Sequence, residues 1–129
     1  MKMHDCRCYY AETGEGKWMV HAVPLPCGKD MHVSFTGGEK PHIGATALAI
    51  PRRSLSDPGK VSASVSVLCV TGHKDDQLAR EAALKIASAL DCVVSVTVGL
   101  HIENADCNDI EKITDNFYHA IRKIIDMYR

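Results

Sequence analysis

No apolar run in this chain approaches the roughly 20 residues that a membrane span needs. The opening residues, MKMHDCRCYY, also lack the apolar stretch of a secretory leader. Neither sign of charge is in excess. The formal net charge of −1 at pH 7 excludes a broad electrostatic hold on nucleic acid or anionic lipid. Several catalytic signatures are missing as well. There is no GxSxG elbow and no cysteine with an obvious base beside it, so nucleophilic catalysis has no support. Neither a P-loop nor a GxGxxG fingerprint occurs, which removes the usual nucleotide folds. No HExxH or comparable short-range ligand spacing marks a zinc site. Internal repeats and low-complexity segments are absent too. The expectation is a cytoplasmic chain whose six cysteines are reduced thiols.

What is present fits one domain spanning residues 1–129, long enough for a core but too short for two. Residues 4–12 and 17–25 flank the turn TGEG and read as a hairpin. PCGKD then turns the chain into a third strand, MHVSFT. HIGATALAI predicts a fourth, with Ile43, Ala45, Ala47 and Ala49 on one face, and PRRSLSDPGK a polar turn holding Arg52 and Arg53. VSASVSVLCV alternates most clearly: Val61, Ala63, Val65, Val67 and Cys69 oppose Ser62, Ser64 and Ser66.

The period then changes. KDDQLAREAALKIASALD carries Leu78, Ala82, Ala83, Ile86 and Leu90 on one stripe and predicts a helix. CVVSVTVGLHI returns to strand, and from about Asp106 a second helix is marked by Ile110, Ile113, Phe117, Ala120, Ile121 and Ile124. The fold class is therefore α+β: a single, mostly antiparallel sheet of about six strands, in the order β-β-β-β-β-α-β-α, with both helices on one face. The other face is lined by Ser and Thr, and is either solvated or covered by a second subunit.

GGEKPHIG, residues 37–44, spends three glycines and a histidine on one loop. If successive strands run antiparallel, Gly37 and Gly38 end an upward strand and His42 opens the downward one. A strand-helix-strand crossover makes its two strands parallel, so TGHKDD and GLHIEN end upward as well. His42, His73 and His101 should gather at one rim, where both helices begin. Helix N–H groups favour an anion such as phosphate, and Gly37, Gly38, Gly44, Gly72 and Gly99 would let backbone approach a ligand. Asp75 and Asp76 would compete for those same N–H groups. Three imidazoles could instead bind zinc or shuttle protons, and each alone also suits a turn or a cap. His4, Cys6 and Cys8 share one strand face but read as packing rather than a metal site.

Three motifs in fixed order, GGEKPHIG, GHKDDQLA and GLHIEN, resemble those of the gallate decarboxylase D-subunit family, grouped as prenylated-flavin chaperone-like domains. The resemblance covers roughly residues 31–113. It implies a fold similar to the proteasome-assembly chaperones, usually paired as a dimer, here a homodimer or a heterodimer. It also implies a role without turnover, as an accessory subunit or chaperone beside UbiD-type decarboxylases. The cofactor would be prenylated FMN or FMN, bound rather than used. Carried over by position, the motifs supply Gly37, Gly38, Pro41, His42 and Gly44, then His73, Lys74 and Asp75 (with Asp76), then Gly99 and His101. A small metal- or His-dependent enzyme and a ligand-free assembly module are the competing readings.

Overall fold

The structure, a computed structural model, describes residues 10–70 and 75–129. Strands β1 (Ala11–Thr13), β2 (Val20–Cys27), β3 (Asp30–Gly38), β4 (Ala45–Arg53) and β5 (Val61–Cys69) precede helix α1 (Asp76–Leu90). Strand β6 (Val94–His101) and helix α2 (Cys107–Tyr128) follow. They form one six-stranded sheet in the order β1-β2-β3-β6-β4-β5. Only β3 and β6 pair in parallel; the remaining pairs are antiparallel. The α+β class and the element order read from the sequence hold.

Local chemistry explains where the elements stop. The chain leaves α1 through Asp91, which adopts the left-handed conformation at φ 49°, a conformation that Asp tolerates better than most residues. Helix α2 opens on a capping box. Asp109 N–H donates to Asp106 Oδ1 at 2.8 Å while Asp106 N–H donates to Asp109 Oδ2 at 3.1 Å.

Alternate residues of the sheet face the helices. Val33, Phe35, Val94, Val96 and Val98 are fully buried there with Ile86, Phe117 and Ile124. Phe35 and Phe117 meet edge to face, with ring centroids 5.0 Å apart. Under α1 the contact is built from alanines on both sides: Ala45, Ala47 and Ala49 of β4 and Ala79, Ala82 and Ala83 of the helix are all buried. Small side chains on both surfaces leave little bulk between helix and sheet.

Several expectations change in detail. Strand β4 starts at Ala45 rather than His42, and Ile43 lies outside it, 66 % exposed. Arg52 and Arg53 end β4 instead of lying in the turn. On α1 the buried positions are Ala79 and Ala87 where Leu78 and Leu90 were expected, and on α2 Ile110 is exposed. Cys69 is exposed at the end of β5. In each case the apolar period is right, but the helix or strand is rotated or ended by its neighbours. His4, Cys6 and Cys8 lie outside the described residues.

The face away from the helices is open among the described residues. Two rows cross it from β2 to β5: Val23, Ser34, Thr97, Thr46, Leu68, and Leu25, His32, Ser95, Leu48, Ser66. Its centre is polar and internally bonded, with His32 Nδ1 2.6 Å from Ser95 Oγ and the Thr46 and Thr97 hydroxyls 3.3 Å apart. Val23, Leu25, Leu48, Ile50 and Leu68 flank it as exposed apolar side chains.

Candidate functional site

The crossover argument puts the ends of β3 and β6 and the start of β4 at one rim, and the sheet has that arrangement. β3 and β6 end side by side, with Gly38 opposite His101. β4 enters antiparallel to β6, with Ala45 opposite Val98. His42 and His101 come together there, ring centroids 6.2 Å apart and nearly perpendicular. His73 and Lys74 lie outside the described residues.

The loop between β3 and β4 is sewn onto the end of β6. Glu39 and Lys40 N–H both donate to the His101 carbonyl, at 2.7 and 3.3 Å, and Gly44 N–H donates to Val98 O at 2.9 Å. Its glycines make that fit possible. A Cβ on Gly99 would run into the His42 backbone, one on Gly38 into the His101 backbone, and one on Gly44 into the Asp75 carboxylate. Gly38 also sits at φ 78°, where a side chain is strained. The space at these positions is filled by protein.

Asp75 joins three segments. Its carboxylate is buried, accepts Leu100 N–H at 3.2 Å through Oδ1, and meets His42 Nε2 at 3.2 Å through Oδ2. His42 Nδ1 lies 3.0 Å from the Lys40 carbonyl. Asp75 is the N-cap residue of α1, yet its side chain makes no capping bond. It was expected to compete for the helix N–H groups; it reaches sideways to β6 and His42 instead. The N-terminus of α2, expected to stand open, is closed by its own capping box, and Asp109 is further held by Trp18 Nε1 at 2.9 Å and Lys17 Nζ at 3.1 Å. Those contacts, Trp18 first, lower the Asp109 carboxyl to about 2.

Outside the loop, Glu103 gathers two basic side chains of the rim. It takes Lys40 Nζ at 2.8 Å on one oxygen and His101 Nε2 at 3.0 Å on the other. Lys40 and His101 together lower its carboxyl to about 2, and Glu103 in turn raises Lys40. Among the described residues, no group of three or more His, Cys, Asp and Glu side chains could hold a metal ion.

Beside this rim, a cavity of about 560 Å³ opens between the two helices above the end of β6. Asp75 at the N-cap of α1 lines it with Leu78 and Glu81 of that helix, Leu100, His101 and Ile102 of β6 and its exit, and Ile110, Ile113 and Tyr118 of α2. Tyr118 donates its phenol proton to Glu81 Oε2, which, with partial burial, pushes the phenol up to about 12. Lys85 Nζ lies over the same ring, 4.4 Å from its centroid. Sequence reasoning missed Glu81, Tyr118 and Ile110 as site residues. Leu78, Ile110 and Ile113 stand in the apolar stripes of the two helices, but nothing local marks Glu81 and Tyr118 as facing each other.

Comparison with known proteins gives the family. The prenylated flavin chaperone LpdD-like domain matches residues 14–129. The chain belongs to this prenylated flavin chaperone family. Among solved structures, it is similar to a chain in the crystal structure of a chaperone complex for yeast 20S proteasome assembly. The TM-score is 0.58 at 17 % identity, over 94 % of this chain and 93 % of that one. That likeness is one of fold. No curated protein matches. Within the family fold, no helix among the described residues is long and apolar enough to cross a membrane.

Proposed function

We propose that this prenylated-flavin chaperone-family domain is a non-catalytic accessory subunit that holds prenylated FMN or FMN for a UbiD-type decarboxylase in the cytoplasm. The observation that carries the reading is the cavity's position, opening directly beside His101 and Asp75 of the motif rim. Its volume of about 560 Å³ falls within the roughly 300–1,000 Å³ of small-molecule sites. Leu78, Leu100, Ile102, Ile110 and Ile113 suit a flat apolar ring system. The phosphate would lie on Lys40, His42 and His101, the basic side of the rim, with His73 and Lys74 carried over from the second motif. Gly37, Gly38, Pro41, Gly44 and Gly99 would then shape the loop that presents His42 rather than touch the ligand. Asp75 fixes the loop.

A phosphate must compete with Glu103 for Lys40 and His101. Exposed ion pairs of that kind are weak and readily exchanged, whereas a phosphate can take charge-assisted hydrogen bonds from several donors at once. Two copies would pair through the open sheet face, burying Leu25, Leu48 and Leu68 against one another.

Quenching of flavin fluorescence on titration tests the reading. Saturable FMN binding is expected, weakened about 10-fold or more in His42→Ala and tightened in Glu103→Gln, which releases Lys40 and His101. Unchanged binding in both variants, or no flavin binding, would leave the rim as a set of paired turns. The module would then serve assembly alone.

A further inference from the structure

We infer that the inter-helix cavity is charge-selective, accepting a flavin ring in its neutral form and rejecting the anionic reduced form. This rests on the flavin reading above and adds which state of the ring the site takes.

Among the described residues, the cavity wall carries two carboxylates and no Lys or Arg. Asp75 has its charge shared between His42 and the Leu100 N–H. Glu81 is different. Its Oε2 accepts the Tyr118 phenol, and the residue lines the cavity wall. The hydrogen bond to Glu81, with burial, raises the Tyr118 phenol. Lys85 lies over the Tyr118 ring without lining the cavity, and His101 at the mouth is already engaged by Glu103. Among the described residues, the formal charge lining this space is therefore negative.

An oxidised flavin ring is neutral and carries one N–H donor on its pyrimidine edge, which a carboxylate on the wall can accept. Two-electron reduction leaves a ring that loses its N1 proton near neutral pH. Its negative charge would then sit in a partly apolar cavity against Glu81 and Asp75, where like charges repel with little screening. The phosphate does not enter this comparison, because both redox forms carry the same one at the rim.

The experiment is an anaerobic titration with oxidised FMN and with dithionite-reduced FMN, at pH 5.5 and at pH 8. The oxidised ligand at each pH serves as the reference for pH effects that do not involve the ring. The expected result is near-equal affinity at pH 5.5, where reduced flavin is largely neutral. At pH 8 the reduced form should bind at least 10-fold more weakly. Glu81→Gln keeps an acceptor for Tyr118 and should bring the two forms to within about 3-fold at pH 8. Circular dichroism of that variant confirms its fold, and Tyr118→Phe, which leaves the carboxylate in place, should retain the discrimination. Equal binding of both forms at pH 8, or unchanged discrimination in Glu81→Gln, overturns the inference while the flavin reading stands. Binding of neither form overturns both.

Discussion

Gly99→Ala separates two explanations of the glycine-rich motifs. If the glycines make room for a ligand, this variant should fold like the parent and lose binding. The structure points to the other outcome. The three atoms nearest to an added Cβ are the oxygen, carbon and nitrogen of His42. All are backbone, so no side chain can swing aside and the loop itself must lift. That loop is held by Glu39 and Lys40 N–H on His101 O, by Gly44 N–H on Val98 O, and by the His42–Asp75 pair. Overpacking alone costs about 1–3 kcal/mol, and each hydrogen bond lost adds about 1 kcal/mol. With partial relaxation, a loss of roughly 2–4 kcal/mol follows. At a few degrees per kcal/mol for a domain of this size, the Tm should fall by roughly 10 °C. Thermal and urea unfolding followed by circular dichroism would measure it. Gly59→Ala is the control, because a Cβ there meets only the Asp57 carboxylate at ordinary contact distance, and it should change stability by no more than about 0.5 kcal/mol. A Gly99→Ala variant melting within 2 °C of the parent would refute the argument.

Other outcomes follow from groups already placed. Glu103 and Asp109 ionise at about 2 when folded, against ordinary values of 4.5 and 3.8; their stabilisation is present above those ordinary values and lost as pH falls toward 2. Urea midpoints should therefore drop between pH 5 and pH 2, and the drop should shrink in Glu103→Gln; an unchanged acid limb would contradict the pairing. Tyr118 prefers its neutral form up to about 12, so its contribution is lost as pH rises from about 10 to about 12. Absorbance at 295 nm should show one of the four tyrosines ionising late, and Tyr118→Phe should remove that step. Light scattering should give a dimer for the parent chain and a monomer for Leu25→Asp or Leu48→Asp, which charge the open sheet face; a parent monomer at high micromolar concentration would refute pairing.

Much of this architecture was legible in local pattern. The Val/Ser alternation of Val61–Cys69 and the change to a 3.6-residue period at α1 fix element type, and the parallel crossover fixes direction. Direction alone is enough to bring His42 toward His101. Three things were not legible. The place of β6 between β3 and β4 depends on pairing partners roughly 45 to 63 residues apart, which periodicity does not encode. Asp75 occupies an N-cap position and has an N-cap residue's chemistry, yet its carboxylate is drawn to Leu100 and His42, neighbours that only the tertiary fold supplies. The cavity arises from the relative placement of two helices, so Glu81 and Tyr118 gain meaning only once they face each other. The capping box is the counter-example: Asp106 and Asp109 stand three apart before an apolar run, a readable signal that closes the α2 terminus.

The seating of β6 also governs how this molecule can be made. The hairpins β2–β3 and β4–β5 are each complete in local sequence, but they do not touch one another as neighbours. Each presents an unpaired inner edge until β6 arrives to close the gap. On a ribosome, the two hairpins would emerge first and wait, with Val33, Phe35, Ala45 and Ala47 exposed, until the chain had been extended past His101. Unpaired edges with apolar faces are the surfaces most prone to pairing with the wrong chain. Any truncation before residue 94 would leave that hazard permanent, so the last third of the chain is what turns two sticky ribbons into one sheet.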